Sequence, residues 1–120
     1  MKFTYNRKIY IYDRDNEVVH TEKGNLARDQ KKLIKIAKRC YSEIEAKGFN
    51  LNMNYQDLEQ YLTILSTKEK EKLFHQIYEA YLYVNTMVSE RDQKLTQTDF
   101  FKCMAKLKRY ENYLYIILKS

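Results

Sequence analysis

The alternation of hydrophobic and polar positions in this 120-residue chain changes period near residue 24. Before it, KIYIY (8–12) and EVVHTE (17–22) are β-branched and aromatic runs separated by the turn-forming DRDN (13–16), which predicts a β-hairpin. FTY (3–5) either extends the first strand or adds a short third one, with Asn6-Arg7 as the break. In the first strand Ile9 and Ile11 point one way and Tyr10 and Tyr12 the other, so one face is expected dry and the other amphipathic. A lone hairpin is marginal in water, so this one is expected to pack on the helices that follow.

After Gly24 the period becomes helical. A first helix is predicted from about Leu26 to Lys47, capped by Asn25 and ended by Gly48, with Leu26, Leu33, Ala37, Cys40, Tyr41 and Ile44 as one apolar stripe. A second runs over about Tyr55–Leu65, capped by Asn54. The third begins at Ser66-Thr67-Lys68-Glu69, a capping box, and is expected to continue to Arg91. Phe74, Tyr78 and Leu82 widen its main stripe, which predicts a central helix touched on more than one side. A fourth helix starts near Thr96 or Thr98, with Phe100, Cys103, Met104, Leu107, Tyr110, Leu114 and Leu118 as its expected core positions. The short connector, about 92–97, makes the last two helices an antiparallel pair. The expected fold class is α+β and predominantly α: an N-terminal β-hairpin (1–24) packed on a four-helix, bundle-like domain (25–120), the whole read as a single domain.

Charge changes this picture at one place. Residues 28–39, RDQKKLIKIAKR, hold six basic side chains and one acidic, in a chain whose total is +6. On a helical wheel Arg28, Lys31, Lys32, Lys35, Lys38 and Arg39 share an arc of about 120° opposite the apolar stripe. Like charges three and four apart repel by a few tenths of a kcal/mol per pair, a cost that a purely structural role does not explain. Two readings stay open: a solvated back of a core helix, or a face for an anionic partner, nucleic acid first. Lys102, Lys106 and Arg109 form a second basic patch on helix four, with Tyr113 one turn on as an aromatic for an unpaired base.

Twelve tyrosines suit protein interfaces, although an AT-rich coding bias also raises their number. Lys, Asn, Ile, Tyr and Phe make up 50 residues and Gly, Ala, Arg and Pro only 13, the signature of an AT-rich genome. Tyr10 and Tyr12 on the hairpin, Tyr83 on helix three, and Tyr115, Ile116 and Ile117 near the C-terminus are the candidate protein contacts. The apolar YLYIILKS end also suits contact with a second copy of the chain.

Catalytic chemistry is not signalled. His20 and His75 have no Cys or carboxylate at metal-ligand spacing, and no glycine-rich phosphate loop or nucleophile elbow occurs. No cofactor is implied. No apolar run reaches membrane-spanning length and MKFTYNRKIY lacks the features of a signal peptide, so a cytosolic setting is expected, with Cys40 and Cys103 as free thiols. The expected function is a small non-catalytic regulator or inhibitor that binds a partner protein, of the kind phages and mobile elements encode. The alternative is nucleic-acid binding through the basic face of helix one.

Overall fold

The computed structural model of the chain describes residues 1–89 and 96–120. The fold class is the expected one: an N-terminal antiparallel sheet followed by four helices that dominate the chain. The backbone gathers into two compact units, Met1–Gly48 and Phe49–Ser120.

In the first unit, β1 (Lys2–Tyr5), β2 (Lys8–Asp13) and β3 (Val18–Thr21) form a sheet in the order β1-β2-β3. FTY therefore belongs to a third strand. Tyr5 pairs with Lys8, so Asn6 and Arg7 alone make the β1–β2 turn, and both have positive φ (49° and 64°). That is the pattern of a type I′ turn, whose second central position favours glycine. An arginine held left-handed there costs about 1–2 kcal/mol. The β2–β3 turn is held differently: the Asp13 carboxylate accepts from the Asn16 side-chain amide (2.7 Å) and from the backbone N–H groups of Asp15 and Asn16. These bonds, the Asn16 side chain first, hold the Asp13 carboxyl below its ordinary pKa.

The packed face of the sheet is the tyrosine face. Phe3 pairs with Tyr10 and Tyr12 with Val19, and Phe3, Tyr12 and Val19 are buried with Ala27, Leu33 and Ala37. Ile9 is exposed instead. Of the two faces the alternation creates, the packed one thus carries the tyrosines and the more open one the isoleucines. Leu33 and Ala37 join the aromatic side chains Phe3 and Tyr12 in this core.

Helix α1 (Gln30–Lys47) begins four residues later than the spacing predicts. The cause is the sheet. Leu26 bridges His20, and the Ala27 N–H donates to the Val19 carbonyl at 3.0 Å, so residues 25–27 run along β3. Gln30 then locks this path: its Oε1 accepts the Val19 N–H (2.9 Å) and its Nε2 donates to the carbonyls of Val19 (2.8 Å) and Ala27 (2.6 Å). Val19 is fully buried, so water cannot replace these bonds. Gln30→Ala is expected to lower stability by about 1–3 kcal/mol in denaturant unfolding. Gln30→Glu should lose stability as well, because a carboxylate cannot donate to the two carbonyls. At the other end Gly48, at φ 60°, donates its N–H to the Ile44 carbonyl.

The second unit holds α2 (Tyr55–Thr63), α3 (Thr67–Ser89) and α4 (Gln97–Lys119). The predicted Asn54 cap and capping box are present, helix four starts at the first of its two expected positions, and Asp29 rather than the expected Asn25 stands at the N-cap of α1. Asn54 accepts from the Asp57 N–H (2.7 Å), Ser66 and Glu69 bond reciprocally as a capping box, and Thr96 accepts from the Asp99 N–H. The expected run of helix three to Arg91 and most of the connector at 92–97 fall at 90–95, outside the described residues. Helices α3 and α4 pack along their lengths and are antiparallel: seven intervening residues reach at most about 25 Å, too short to return along a helix of roughly 35 Å.

Leu58, Leu62, Leu73, Ile77, Val84, Leu107, Tyr110, Tyr113 and Ile117 are buried together. Of the stripe expected on helix four, Phe100, Met104 and Leu118 are exposed, and Tyr113 and Ile117 take their place. The Phe49–Asn54 connector accounts for the rotation. It presents its carbonyls to α4, where the Tyr113 hydroxyl donates to Met53 (2.5 Å) and Leu51 (3.2 Å). The Tyr113 ring meets the edges or faces of Phe49, Tyr55 and Tyr110.

Candidate functional site

The basic face of α1 divides on inspection. Lys31, Lys35 and Arg39 are exposed, and no carboxylate lies within ion-pair distance of them among the described residues. Lys38 pairs with Glu17 at 3.1 Å, which raises the pKa of its ammonium group by hydrogen bonding and charge; both side chains are more than half exposed. Lys32 stands over the Tyr5 ring, its Nζ 5.2 Å from the centroid, and the Tyr5 hydroxyl raises its pKa. Arg28 is exposed in the bend before the helix and so is not on the helical arc assigned to it, because the chain still follows β3 there.

The patch on α4 is smaller than its sequence spacing suggests. Lys102 and Lys106 are exposed, but Arg109 turns its guanidinium back to the carbonyls of Asn52 and Met53 and to the Tyr113 hydroxyl. The hydrogen bond and charge of that hydroxyl raise its pKa further. Tyr113 is fully buried and offers no ring for stacking. Both expectations are corrected for one reason: the connector needs donors, and these two side chains supply them.

The predicted protein contacts divide in the same way. Tyr12 (4% exposed) and Ile117 (6%) are core residues, Tyr12 because the sheet buries its tyrosine face and Ile117 because the buried arc of α4 is rotated. Tyr10 is half-buried with its ring stacked on Phe3, and Ile116 is packed against the second core. Tyr83 (70% exposed) and Tyr115 (57%) are at the surface.

A larger surface emerges where a central helix was expected. Tyr78 and Leu82 are exposed, so the excess apolar width of α3 is not enclosed among the described residues. Phe74, Tyr78 and Leu82 recur every four residues along one flank, and the rings of Phe74, Tyr78 and Tyr81 stack in succession, 6.3–6.4 Å between centroids. The Tyr81 hydroxyl meets the Glu111 carboxylate of α4 at 3.1 Å, which fixes the flank of α4 that lies beside this row. On that flank helical spacing places Leu114 and Leu118 in one direction from Glu111 and Met104 and Phe100 in the other, the last three residues exposed. Two apolar rows therefore run side by side, roughly 8–10 Å apart as packed helices are. Tyr83 points away from them. The clue in the sequence was the apolar arc itself, wider on α3 than one packing partner fills.

Charge separates the two units. Residues 1–48 carry twelve Lys or Arg and seven Asp or Glu, net +5, whereas residues 49–120 carry ten and nine, net +1. The apolar flank thus belongs to a nearly neutral unit and the free cations of α1 to a basic one. Among the described residues no three His, Cys, Asp or Glu side chains gather as a metal site, and no helix is long and apolar enough to cross a membrane. No protein-family model matches the sequence, and no curated protein or solved structure matches it.

Proposed function

We propose that this is a small non-catalytic regulatory or inhibitory protein that acts by binding another protein, and that its partner lays an amphipathic helix along the α3–α4 flank. The observation that carries the reading is the paired apolar rows of Phe74, Tyr78 and Leu82 on α3 and Met104, Leu114 and Leu118 on α4. Two antiparallel helices leave a groove that a third fills at ordinary interhelical spacing. Near-neutral charge on the unit suits an apolar contact, and Glu111 with Tyr81 offers a polar anchor at its centre. The AT-rich coding suits an accessory protein of a phage or mobile element directed at a host factor.

A photo-crosslinking residue placed at 78 or 118 tests the reading in the cells that encode the protein. A discrete adduct from both positions, mapping to an amphipathic helix of one protein, is expected. Glu59, exposed on α2, is the control position. Equal adducts from position 59, or none from 78 and 118, contradict the assignment.

A second reading, nucleic-acid binding through the first unit, is supported by the concentration of net charge in residues 1–48 and by the exposed Lys31, Lys35 and Arg39, which have no carboxylate within ion-pair distance among the described residues.

A further inference from the structure

The first unit contains an open cleft of about 1280 Å³ between the β1–β2 turn, the end of β3 and the start of α1. Its lining combines two chemistries. Arg7, Lys8, Lys23, Arg28 and Lys32 contribute five cations, against the two carboxylates of Glu22 and Asp29. The Tyr5 ring, half-buried on the packed face of the sheet, supplies an apolar surface in the same space, while Ile9 and Leu26, placed by strand pairing on the opposite face, only border it.

We infer that this cleft binds a nucleotide of a single-stranded nucleic acid, its phosphate among Arg7, Arg28 and Lys32 and its base against the Tyr5 ring. The inference rests on the nucleic-acid reading of the first unit and narrows it to a place. Cations alone would suit any anion. The apolar surface beside them selects a ligand that carries both a phosphate and a flat ring. A base inside a duplex does not expose its face, so the strand must be single. Continuity argues for a polymer over a free nucleotide: from Lys32 the exposed Lys35 and Arg39 continue along the same face of α1, a track of about 10 Å beyond the cleft.

Arg7 supplies an independent reason. It occupies the left-handed position of a two-residue turn where glycine would be relaxed, and it lines the cleft. Strain of this kind marks places where the side chain serves something other than stability. Arg7→Gly should therefore raise stability and lower binding together, a split that a merely structural arginine would not produce.

The test uses the full chain and fluorescence anisotropy of a labelled twelve-nucleotide oligodeoxythymidine. Binding is expected at 50 mM salt, weakening roughly 100-fold by 200 mM, as for about five phosphate contacts on a single strand. Arg7→Gly should weaken it at least about tenfold while raising the thermal midpoint by roughly 3–6 °C. Lys68→Gln, which removes one exposed charge from the second unit, should change affinity less than about threefold. Undiminished binding by Arg7→Gly overturns the cleft and leaves nucleic-acid binding by α1 standing, and an equal loss in Lys68→Gln overturns the cleft as well. A duplex of the same length binding as tightly removes the role of the apolar surface. Thymidine monophosphate competing as strongly as the strand makes this a free-nucleotide site and overturns the polymer. Absence of binding to every probe overturns the cleft and the nucleic-acid reading together.

Discussion

Tyr113→Ala is expected to destabilise residues 49–120 by about 3–5 kcal/mol, the range for truncating a large aromatic side chain in a core. Two effects combine at the position. The ring is fully buried among Phe49, Tyr55 and Tyr110, so its removal leaves a cavity that three aromatic neighbours cannot close without leaving their rotamers. The hydroxyl joins α4 to the Phe49–Asn54 connector through the carbonyls of Leu51 and Met53. Tyr113→Phe separates these effects. It keeps the packing, leaves the two carbonyls short of a donor, and should cost about 1–3 kcal/mol. Arg109, which donates to the same connector, cannot replace the lost hydroxyl because it already reaches Asn52 and Met53 at the long distances of 3.3 and 3.4 Å. Urea unfolding of both variants checks the account. A Phe variant as unstable as the Ala variant would place the energy in the hydrogen bonds; an Ala variant within about 1 kcal/mol of the parent would remove Tyr113 from the core.

Local signals read well in this sequence. The capping box at Ser66–Glu69, the Asn54 cap, the strand break at Asn6-Arg7 and the stop at Gly48 each depend on a few neighbouring residues and stand where the spacing put them, and of the two starts allowed for helix four the chain uses Thr96. Errors arose where a distant segment competes with a local preference. Leu26 has a helical place in the periodicity, yet the edge of β3 offers residues 25–27 backbone partners and Gln30 seals that choice with three hydrogen bonds. Nothing in the spacing around Gln30 distinguishes it from a surface glutamine. Tyr12 reads from the strand pattern as a candidate contact, yet the sheet buries it beside Phe3 and Val19 in the core that also holds Leu33 and Ala37. The basic face of α1 was legible in its free members, Lys31, Lys35 and Arg39. The roles of Arg109 and Tyr113 were not, since the carbonyls that claim them lie more than fifty residues away in sequence.

The second large effect concerns binding. Leu82 and Leu118 are exposed on the paired rows, so replacing both with glutamate should leave folding nearly unchanged, within about 0.5 kcal/mol per site. In a complex with a partner helix the same two positions become enclosed. Each carboxylate would then lose its water without gaining a cation, a penalty of roughly 1–3 kcal/mol or more per site. Together they should weaken association at least about 100-fold. Lys35→Gln, a change on the basic unit, should leave that association within about twofold. Because the apolar flank is the basis of the functional reading, the decisive measurement is the affinity of the crosslinked partner for the parent chain and for the Leu82→Glu, Leu118→Glu variant, by titration calorimetry. A loss of two orders of magnitude with an unchanged thermal midpoint is the predicted result. An affinity within threefold of the parent would show that the partner binds elsewhere and contradict the account.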